Sequence, residues 1–224
     1  MEKINSEFEI FQKNLSIKNK TIVDIGCGVG KVTRALAENG AIVHGTDLPD
    51  LIEKAKSITP IANEQYKVGS AENLPYNDNF ADILLYFASF HHVPKDKMDA
   101  AMLECYRILK SNGLVVFLEP VPKKNSYYEL TRLVEDEAKI LSKAHVIIQN
   151  CQTYNFKCIN ENYYYLERSY LDYKNLLDIY VTDDIERNKY LQQAEKVLLK
   201  FSKNINTFRF RSICRVNILE TIKN

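Results

Sequence analysis

Charge of one sign, paired cysteines and long apolar runs are all missing from this sequence. Its 30 lysines and arginines nearly balance its 29 aspartates and glutamates, which leaves a formal net charge of +1. A chain this close to neutral has no overall electrostatic attraction to nucleic acid or to an anionic membrane. We therefore expect a small molecule, and no nucleic acid, as its partner.

The five cysteines form no Cys-x-x-Cys pair and no metal-binding cluster. Reduced thiols in a cytoplasmic protein explain them most simply, and we expect no bound metal ion. The polar first residues lack the apolar core of a signal peptide, and no apolar run approaches the roughly 20 residues of a membrane span. The sequence predicts a cytoplasmic protein without a membrane-spanning segment, and it leaves the oligomeric state open.

The most distinctive segment is a glycine-rich turn, DIGCGVG, at residues 24–30. An apolar, β-prone run leads into this turn, and a helix-forming run at residues 31–39 follows it at once. A strand, a tight turn and a helix N-terminus in this order place backbone N–H groups and a positive helix end against a ligand. Glycine is required where a side chain would block close approach or where φ is positive. The turn therefore predicts a cofactor site.

Strand and helix patterns alternate through the first half of the chain. This alternation predicts an α/β fold with a doubly wound, mostly parallel sheet, in which ligands bind at the carboxyl ends of the strands. The predicted strands are residues 20–25, 41–47, 65–68, 81–87 and 114–118, and the predicted helices are residues 32–39, 50–58 and 95–110.

The character of the sequence changes after Pro120. Helical patterns occur at 127–150, 172–180 and 184–201, a tyrosine-rich stretch at 154–168 is compatible with a strand, and 207–221 alternates like a final strand. These patterns divide the chain into three regions. We expect a cofactor-binding core at 1–120, a largely helical, tyrosine-rich acceptor cap at 121–205, and a final strand at 206–224 that returns to the core sheet.

Four segments of the first half converge on one family. Beyond the glycine turn, Asp47 ends the second strand, where a carboxylate can accept hydrogen bonds from ribose hydroxyls. GSAENLPY follows the third strand at 69–76, FADILL and HHV surround the fourth at 80–85 and 91–93, and RILKSNGL leads into the fifth at 107–114. Over residues 20–120 the chain resembles the class I S-adenosylmethionine-dependent methyltransferases, in the small-molecule branch that includes ubiquinone-type and sugar methyltransferases.

The resemblance implies S-adenosyl-L-methionine as cofactor, S-adenosyl-L-homocysteine as product and a seven-stranded Rossmann-like sheet. It places the methionine end of the cofactor at the glycine turn, the ribose on Asp47, the adenine against Leu48 and residues 70–72, and the methionine amine near Ala88. The implied cofactor-binding residues are Asp24, Gly26, Cys27, Gly28, Gly30, Asp47, Leu48, Ser70, Ala71, Glu72, Phe87 and Ala88.

Alternatives remain for several of these residues. A glycine turn can also hold a dinucleotide, but the dinucleotide-binding pattern has a further glycine at the position that Lys31 occupies here. Asp47 is alternatively a helix N-cap, and Glu72 is alternatively a solvated loop acid. Ser70 departs from the family, which often has aspartate there to accept from the adenine amino group.

His91 and His92 follow the fourth strand, beside the expected methyl donor. A neutral histidine can remove a proton from an attacking hydroxyl or amine, so both are candidate catalytic residues. The alternative is that one of them caps or packs the following helix. Many methyl transfers need little base, because holding the acceptor in line supplies much of the rate.

The acceptor side of the site depends on the second half of the chain. Tyr163, Tyr164 and Tyr165 are candidates for lining a substrate pocket, and Arg209 and Arg211 would hold an anionic acceptor if they face it. Packing and a solvated charged face are the alternatives. We expect methyl transfer to an O or N atom of a small metabolite, with a non-catalytic S-adenosylmethionine-binding or partner protein and an NAD-type oxidoreductase as alternatives.

Overall fold

The structure, a computed structural model, describes residues 1–132, 136–170, 202–204 and 207–223. Its helices are α1 (Phe8–Asn14), α2 (Lys31–Glu38), α3 (Pro49–Ser57), α4 (Met98–Ile108), α5 (Tyr128–Thr131) and α6 (Ala138–Gln149). Its strands are β1 (Glu2–Lys3), β2 (Thr21–Ile25), β3 (Ile42–Asp47), β4 (Gln65–Val68), β5 (Ala81–Phe87), β6 (Leu109–Pro120), β7 (Phe156–Tyr170), β8 (Ser202–Asn204) and β9 (Thr207–Thr221). Single 3-10 turns cover Phe90–His92 and Cys151–Tyr154.

The strands form one mixed sheet, in the order β1-β7-β9-β6-β5-β2-β3-β4, and β8 pairs with β9. Neighbouring strands from β6 to β4 in this order are parallel, whereas β9 is antiparallel to both β6 and β7. The predicted doubly wound, mostly parallel α/β fold is therefore confirmed. The predicted count of seven strands is wrong, because the described residues add the short strands β1 and β8 to the sheet.

Strand β6 begins five residues before its predicted start at residue 114. Leu109 pairs with Ala81, and the register then shifts so that Ile83 pairs with Leu114. Asn112 takes a left-handed φ of 57° within this irregularity. The Ser-Asn-Gly segment that resembles a turn in the sequence is thus a bulge inside one strand.

The prediction of a largely helical cap is wrong for the described residues. Helices α5 and α6 do occur, but the tyrosine-rich stretch forms the long strand β7, which pairs antiparallel with β9 from Phe156↔Thr221 to Tyr170↔Phe208. Alternating apolar side chains of both strands pack against the core on one face, which explains why this stretch extends the sheet. The predicted final strand is confirmed as β9. The predicted helices at 172–180 and 184–201 lie outside the described residues.

The hairpin of β7 and β9 extends past the carboxyl ends of the parallel strands. Strand β6 ends at Pro120, which pairs with Cys214, and Cys214 pairs in turn with Tyr164. Strand β7 continues for six more residues to Tyr170. At about 3.3 Å per residue, the overhang is roughly 20 Å long. It forms a wall beside the edge of the sheet where ligands of this fold class bind.

Helices cover both faces of the sheet, so the central strands are buried on both sides. Along β5, Leu84 and Tyr86 join the core under α4 and α6, whereas Ile83 and Leu85 join the core under α1 and α2. This double burial is why the strand is a continuous apolar run in the sequence. The first core contains an aromatic group in which Tyr86 stacks on Phe117 with ring centroids 5.1 Å apart.

We predict that Phe117→Ala lowers the free energy of unfolding by about 3–5 kcal/mol, because it removes a fully buried ring and leaves a cavity. Urea unfolding followed by circular dichroism measures this loss. The matched control is Leu103→Ala on α4, where the side chain is exposed and the change should stay within about 0.5 kcal/mol. Equal losses in the two variants would contradict the described core.

Candidate cofactor and acceptor site

The glycine turn joins β2 to α2 at the carboxyl edge of the sheet. Gly26, Gly28 and Gly30 have φ values of 74°, 55° and 81°, all in the left-handed region. The Gly26 N–H donates to the Thr46 carbonyl of β3 at 2.8 Å, and the Gly30 N–H donates to the Cys27 carbonyl at 2.9 Å. The turn therefore needs glycine for backbone conformation, and its shape is held by the neighbouring strand.

The three glycines differ in what surrounds them. A Cβ added at Gly26 would lie 2.5 Å from the Cβ of Ser89, and one added at Gly30 would overlap the Tyr66 ring. A Cβ added at Gly28 would meet no atom within 4 Å. Two glycines thus permit close packing of the turn, and the third borders open space in which a ligand can approach the backbone.

Asp47, the last residue of β3, holds the turn from the side. Its Oδ2 accepts a hydrogen bond from the Gly28 N–H at 2.7 Å, and its Oδ1 accepts one from the Leu48 N–H, also at 2.7 Å. Leu48 is largely exposed and is itself the N-cap residue of α3, with no side-chain cap bond. The alternative interpretation of Asp47 as the cap of that helix is therefore wrong.

Asp24 lies buried beneath the turn. The Thr33 hydroxyl of α2 donates to its Oδ2 at 2.7 Å, while its Oδ1 is buried without a hydrogen-bond partner. Burial raises the pKa of the Asp24 carboxyl to about 6, against the hydrogen bond from Thr33 and with a smaller contribution from the charge of Asp47. A buried carboxylate with one unused oxygen is suited to receive a cationic group.

Residues 70–72 lie in a tight turn after β4, where Ser70 and Asn73 form an isolated bridge. Glu72 makes an ion pair of 2.6 Å with Lys97, and the hydrogen bond from that ammonium lowers the pKa of the Glu72 carboxyl. Glu72 is thus a paired side chain in the same turn as Ser70 and Ala71, and its contact with the adenine stays a prediction.

The segment after β5 forms hydrogen bonds with the two strands on either side of it. Ala88 has a left-handed φ of 49°, which is rare for a residue with a side chain, and its N–H donates to the Leu118 carbonyl at 2.7 Å. The Ser89 hydroxyl donates to the Ile25 carbonyl at 2.6 Å. Backbone strain of this kind concentrates at functional sites. Phe87 and Ala88 therefore stand at a fixed position beside the glycine turn.

His91 lies between two carboxylates that the sequence analysis did not identify. Its Nδ1 donates to Oε2 of the buried Glu119, whose Oε1 accepts from the Phe90 N–H at 3.0 Å. Its Nε2 lies 3.5 Å from Oε1 of Glu137, and Nε2 of His92 lies 3.8 Å from the same oxygen. Glu119 directly follows the apolar run of residues 114–118 near the end of β6, which is a usable signal, whereas nothing near Glu137 in the sequence marks it.

The two histidines differ in environment. The His91 side chain is 2% exposed and the His92 side chain is 59% exposed. Burial would lower the pKa of His91, but the hydrogen bonds and charges of Glu119 and Glu137 outweigh it and raise the pKa to about 9. His91 is therefore an imidazolium at neutral pH and has no lone pair with which to remove a proton.

A cavity of about 230 Å³ opens beside Ala88, at the carboxyl ends of β5 and β6. Its lining is mainly apolar and aromatic, with three charged side chains. The lining includes Phe87, Ala88, Leu118, Pro120, Tyr127, Tyr128, Glu137, Leu166, Ile213, Glu7 and Arg168. Arg168 is already paired, because its guanidinium contacts Glu7 at 2.5 Å and lies over the ring of Tyr127.

The structure does not bring the sequence-predicted acceptor residues to this cavity. Tyr164 is buried, and its hydroxyl contacts Asn14 at 2.9 Å. Tyr163 contacts Glu161, and Tyr165 packs under the guanidinium of Arg211. Arg209 is exposed beside Glu167, on the same outer face of the hairpin. Because strand side chains alternate, Leu166 and Arg168 on the inner face of β7 line the cavity instead.

None of the helices among the described residues has the length and apolarity needed to cross a bilayer.

Residues 23–117 match the family described as Methyltransferase domain. Over 109 residues the chain is 30% identical to the ubiquinone biosynthesis O-methyltransferase of Coxiella burnetii, and the match covers 47% of this chain and 46% of that protein. The domain at residues 23–117 is that of the class I S-adenosylmethionine-dependent methyltransferases. The predicted family is thereby confirmed.

Two further similar proteins mark the extent of the chain's similarity. The phosphoethanolamine N-methyltransferase 1 of Caenorhabditis elegans is 28% identical over 124 residues, which cover 54% of this chain and 26% of that protein. The YcgJ protein of Bacillus subtilis shares the fold with a TM-score of 0.67 at 17% identity, over 97% of this chain and 98% of that chain. The chain spans half or less of the length of these curated relatives.

The side chains at the turn fit the cofactor of this family. S-adenosylmethionine carries an ammonium and a sulfonium group, and the turn offers the carboxylates of Asp24 and Asp47, one of them with an oxygen that has no partner. The open space at Gly28 allows its backbone to meet a ligand. The cofactor assignment is thus supported by charge and by shape.

We predict that Gly28→Ala mainly weakens ligand binding, whereas Gly30→Ala mainly lowers folding stability. Gly28→Ala adds a methyl group where the ligand approaches, so it should weaken binding of S-adenosylhomocysteine at a cost in folding stability of only about 1 kcal/mol for the positive φ. Gly30→Ala must also displace Tyr66 from its hydrogen bond with Arg34, so its loss of stability should be larger. Calorimetric titration and urea unfolding of both variants separate the two effects, and identical stabilities would contradict the packing described.

We predict that affinity for S-adenosylhomocysteine falls as the pH drops below about 6, where the Asp24 carboxyl gains a proton. Only the ionised carboxylate attracts the ligand's ammonium group, so affinity should be full above the pKa and about tenfold weaker one pH unit below it. Calorimetry at pH 8 and pH 5 measures the change. Asp24→Asn should bind weakly at both pH values, and Asp50→Asn on α3 serves as the control. An unchanged pH dependence in Asp24→Asn would refute the assignment.

Proposed function

We propose that the protein transfers a methyl group from S-adenosylmethionine to an O or N atom of a small acceptor bound in the cavity beside Ala88. The observation that carries this proposal is the position of that cavity. The cavity shares Phe87 and Ala88 with the predicted methionine end of the cofactor site. A molecule in the cavity and a cofactor in its site would therefore meet beside these two residues. A binding protein without catalysis would not require a second cavity there.

The cofactor would be held by the glycine turn, by Asp47 and by the turn at residues 70–72. When bound, it supplies an electrophilic methyl group on a sulfonium, which leaves a neutral thioether. Asp47 would exchange part of its present bonding to the Gly28 and Leu48 N–H groups for ribose hydroxyls. Leu48, already exposed at the edge of the site, offers an apolar surface for the adenine.

The walls of the cavity would position the acceptor and exclude water. Leu118 and Pro120 end the sheet on one side, and Leu166 and Ile213 of the overhanging hairpin close the other. Fixing a nucleophile in line with the methyl group supplies a large part of the rate of such a displacement. The mainly apolar lining favours an acceptor with an apolar body.

Proton removal, where the acceptor needs it, would fall to His92 or Glu137. The raised pKa of His91 makes this residue a poor base, whereas the His92 side chain is largely exposed. Glu137 contacts both histidines and lines the cavity. His91 would then act as a positioning residue that fixes Glu137 at the cavity wall.

The charges of the cavity do not support an anionic acceptor. Arg209 and Arg211 lie on the outer face of the hairpin, and Arg168, the arginine that does line the cavity, is neutralised by Glu7. Two carboxylates against one guanidinium favour a neutral or cationic molecule. The relatives named for phosphoethanolamine and for ubiquinone biosynthesis indicate that both N and O acceptors occur among similar domains.

We predict that a saturating concentration of S-adenosylhomocysteine raises the melting temperature, since a ligand at 100 times its Kd stabilises the folded state by about 2.7 kcal/mol. Asp47→Ala should lose most of this rise, because it removes the carboxylate that fixes the turn. Asp50→Ala, which removes an exposed acid in the first turn of α3, is the matched control and should show the same ligand-induced rise as the wild type.

Two measurements complete the test. The proposal requires S-adenosylhomocysteine to accumulate when the protein is incubated with S-adenosylmethionine and a panel of small phenols and amines. The proposal fails if millimolar S-adenosylhomocysteine leaves the melting temperature unchanged. A normal thermal shift without turnover of any acceptor would instead favour a non-catalytic binding protein of the same fold.

A further inference from the structure

The side chains of His91, His92 and Glu137 converge at the wall of the acceptor cavity. Their ligand-type atoms all lie within 4.8 Å of one another. We infer that these three residues form a binding site for a divalent transition-metal ion. Within the described residues, no other three histidine, cysteine or acidic side chains come together in this way.

The geometry of the three side chains suits one cation. Nε2 of His91 lies 3.5 Å and Nε2 of His92 lies 3.8 Å from the same oxygen of Glu137, so all three donors face a common point. The two imidazole rings are adjacent, with centroids 4.1 Å apart. Two histidines and one carboxylate are a donor set that zinc and iron sites use, and it leaves further coordination positions open.

Glu119 gives His91 the support that metal-binding histidines have. The Nδ1–H of His91 donates to this buried carboxylate, which leaves Nε2 as the ring atom that faces Glu137. Metal-binding histidines usually donate their second ring N–H to a carboxylate or a carbonyl, which fixes the tautomer and the ring orientation. Phe90 holds Glu119 in turn through its N–H, so the supporting residues are themselves fixed.

The charge of the cluster matches a divalent ion. Glu119 and Glu137 bring two negative charges into a region where Glu119 is fully buried. A divalent cation held by the three side chains would offset both of these charges.

The cation would face the acceptor, a role that rests on the proposed function. Glu137 lines the cavity together with Ala88, so an open coordination position there would lie beside the expected methyl donor. A metal ion in such a position would orient an oxygen or nitrogen of a bound molecule and make it more acidic, and it would then take over from His92 and Glu137 the assistance of proton loss. The metal site itself needs no methyl transfer and is tested without an acceptor.

The experiment titrates the full-length, chelator-treated protein with Zn²⁺ by calorimetry and with Co²⁺ by visible absorption. We expect one ion per chain and the intense d–d absorption of a low-coordinate cobalt site. His92→Asn and Glu137→Gln should each abolish the absorption, and both side chains are at least partly exposed, so these variants should fold. Glu119→Gln should weaken binding by about 10- to 100-fold.

The matched control is His145→Asn. His145 makes a similar contact of 3.6 Å with Glu161, but away from the cavity, so its removal should leave the cobalt signal unchanged. No saturable binding by the wild type, or equal binding by His92→Asn and Glu137→Gln, would overturn the inference. Binding of S-adenosylhomocysteine by each variant is measured in parallel, which keeps a failed metal site distinct from a failed cofactor site.

Discussion

The contact between the glycine turn and strand β3 is the constraint on which the rest of the site depends. The Thr46 carbonyl accepts hydrogen bonds from the Gly26 and Cys27 N–H groups, and the Asp47 carboxylate accepts one from Gly28. These bonds fix a backbone with positive φ values between two parallel strands. Because Ser89 is then packed against Gly26, the position of the loop after β5, and with it Ala88 at the cavity, follows from the same turn.

The parts of the molecule that the sequence predicts are those with local signals. A buried strand, three glycines and an acid at the next strand end lie within 27 residues, from 21 to 47, and each has a steric or electrostatic reason that needs no distant partner. The hairpin is different, because its paired residues lie 38 or more positions apart in the sequence and its shape depends on register. The inner face holds Tyr164, Leu166 and Arg168, and a shift of one residue would have placed Tyr163 and Tyr165 there.

The histidine pair shows the same limit at the level of single side chains. Two adjacent histidines look equivalent in a sequence, yet a 3-10 turn buries one against Glu119 and leaves the other exposed. Glu119 comes from the end of β6 and Glu137 from the start of α6, 18 residues apart, so the chemistry of His91 is set by two segments that share no local pattern with it. The sequence indicates that functional side chains follow β5. It does not reveal the burial and the carboxylate partners that make the two rings different.

The division of the site between the two halves of the chain has a physical consequence for its chemistry. The cofactor half is built from main-chain groups and short side chains on parallel strands, which tolerate little change because each glycine has a defined φ or a defined neighbour. The acceptor half is built from side chains on the overhanging hairpin and on α5 and α6, where a substitution alters the cavity without moving the turn. A regular antiparallel ladder with β6 holds the hairpin in place. Substitutions in the overhanging part can therefore change the side chains that line the cavity without moving the hairpin. The strained backbone of Ala88 lies directly after β5, where these two parts of the molecule meet at the cavity.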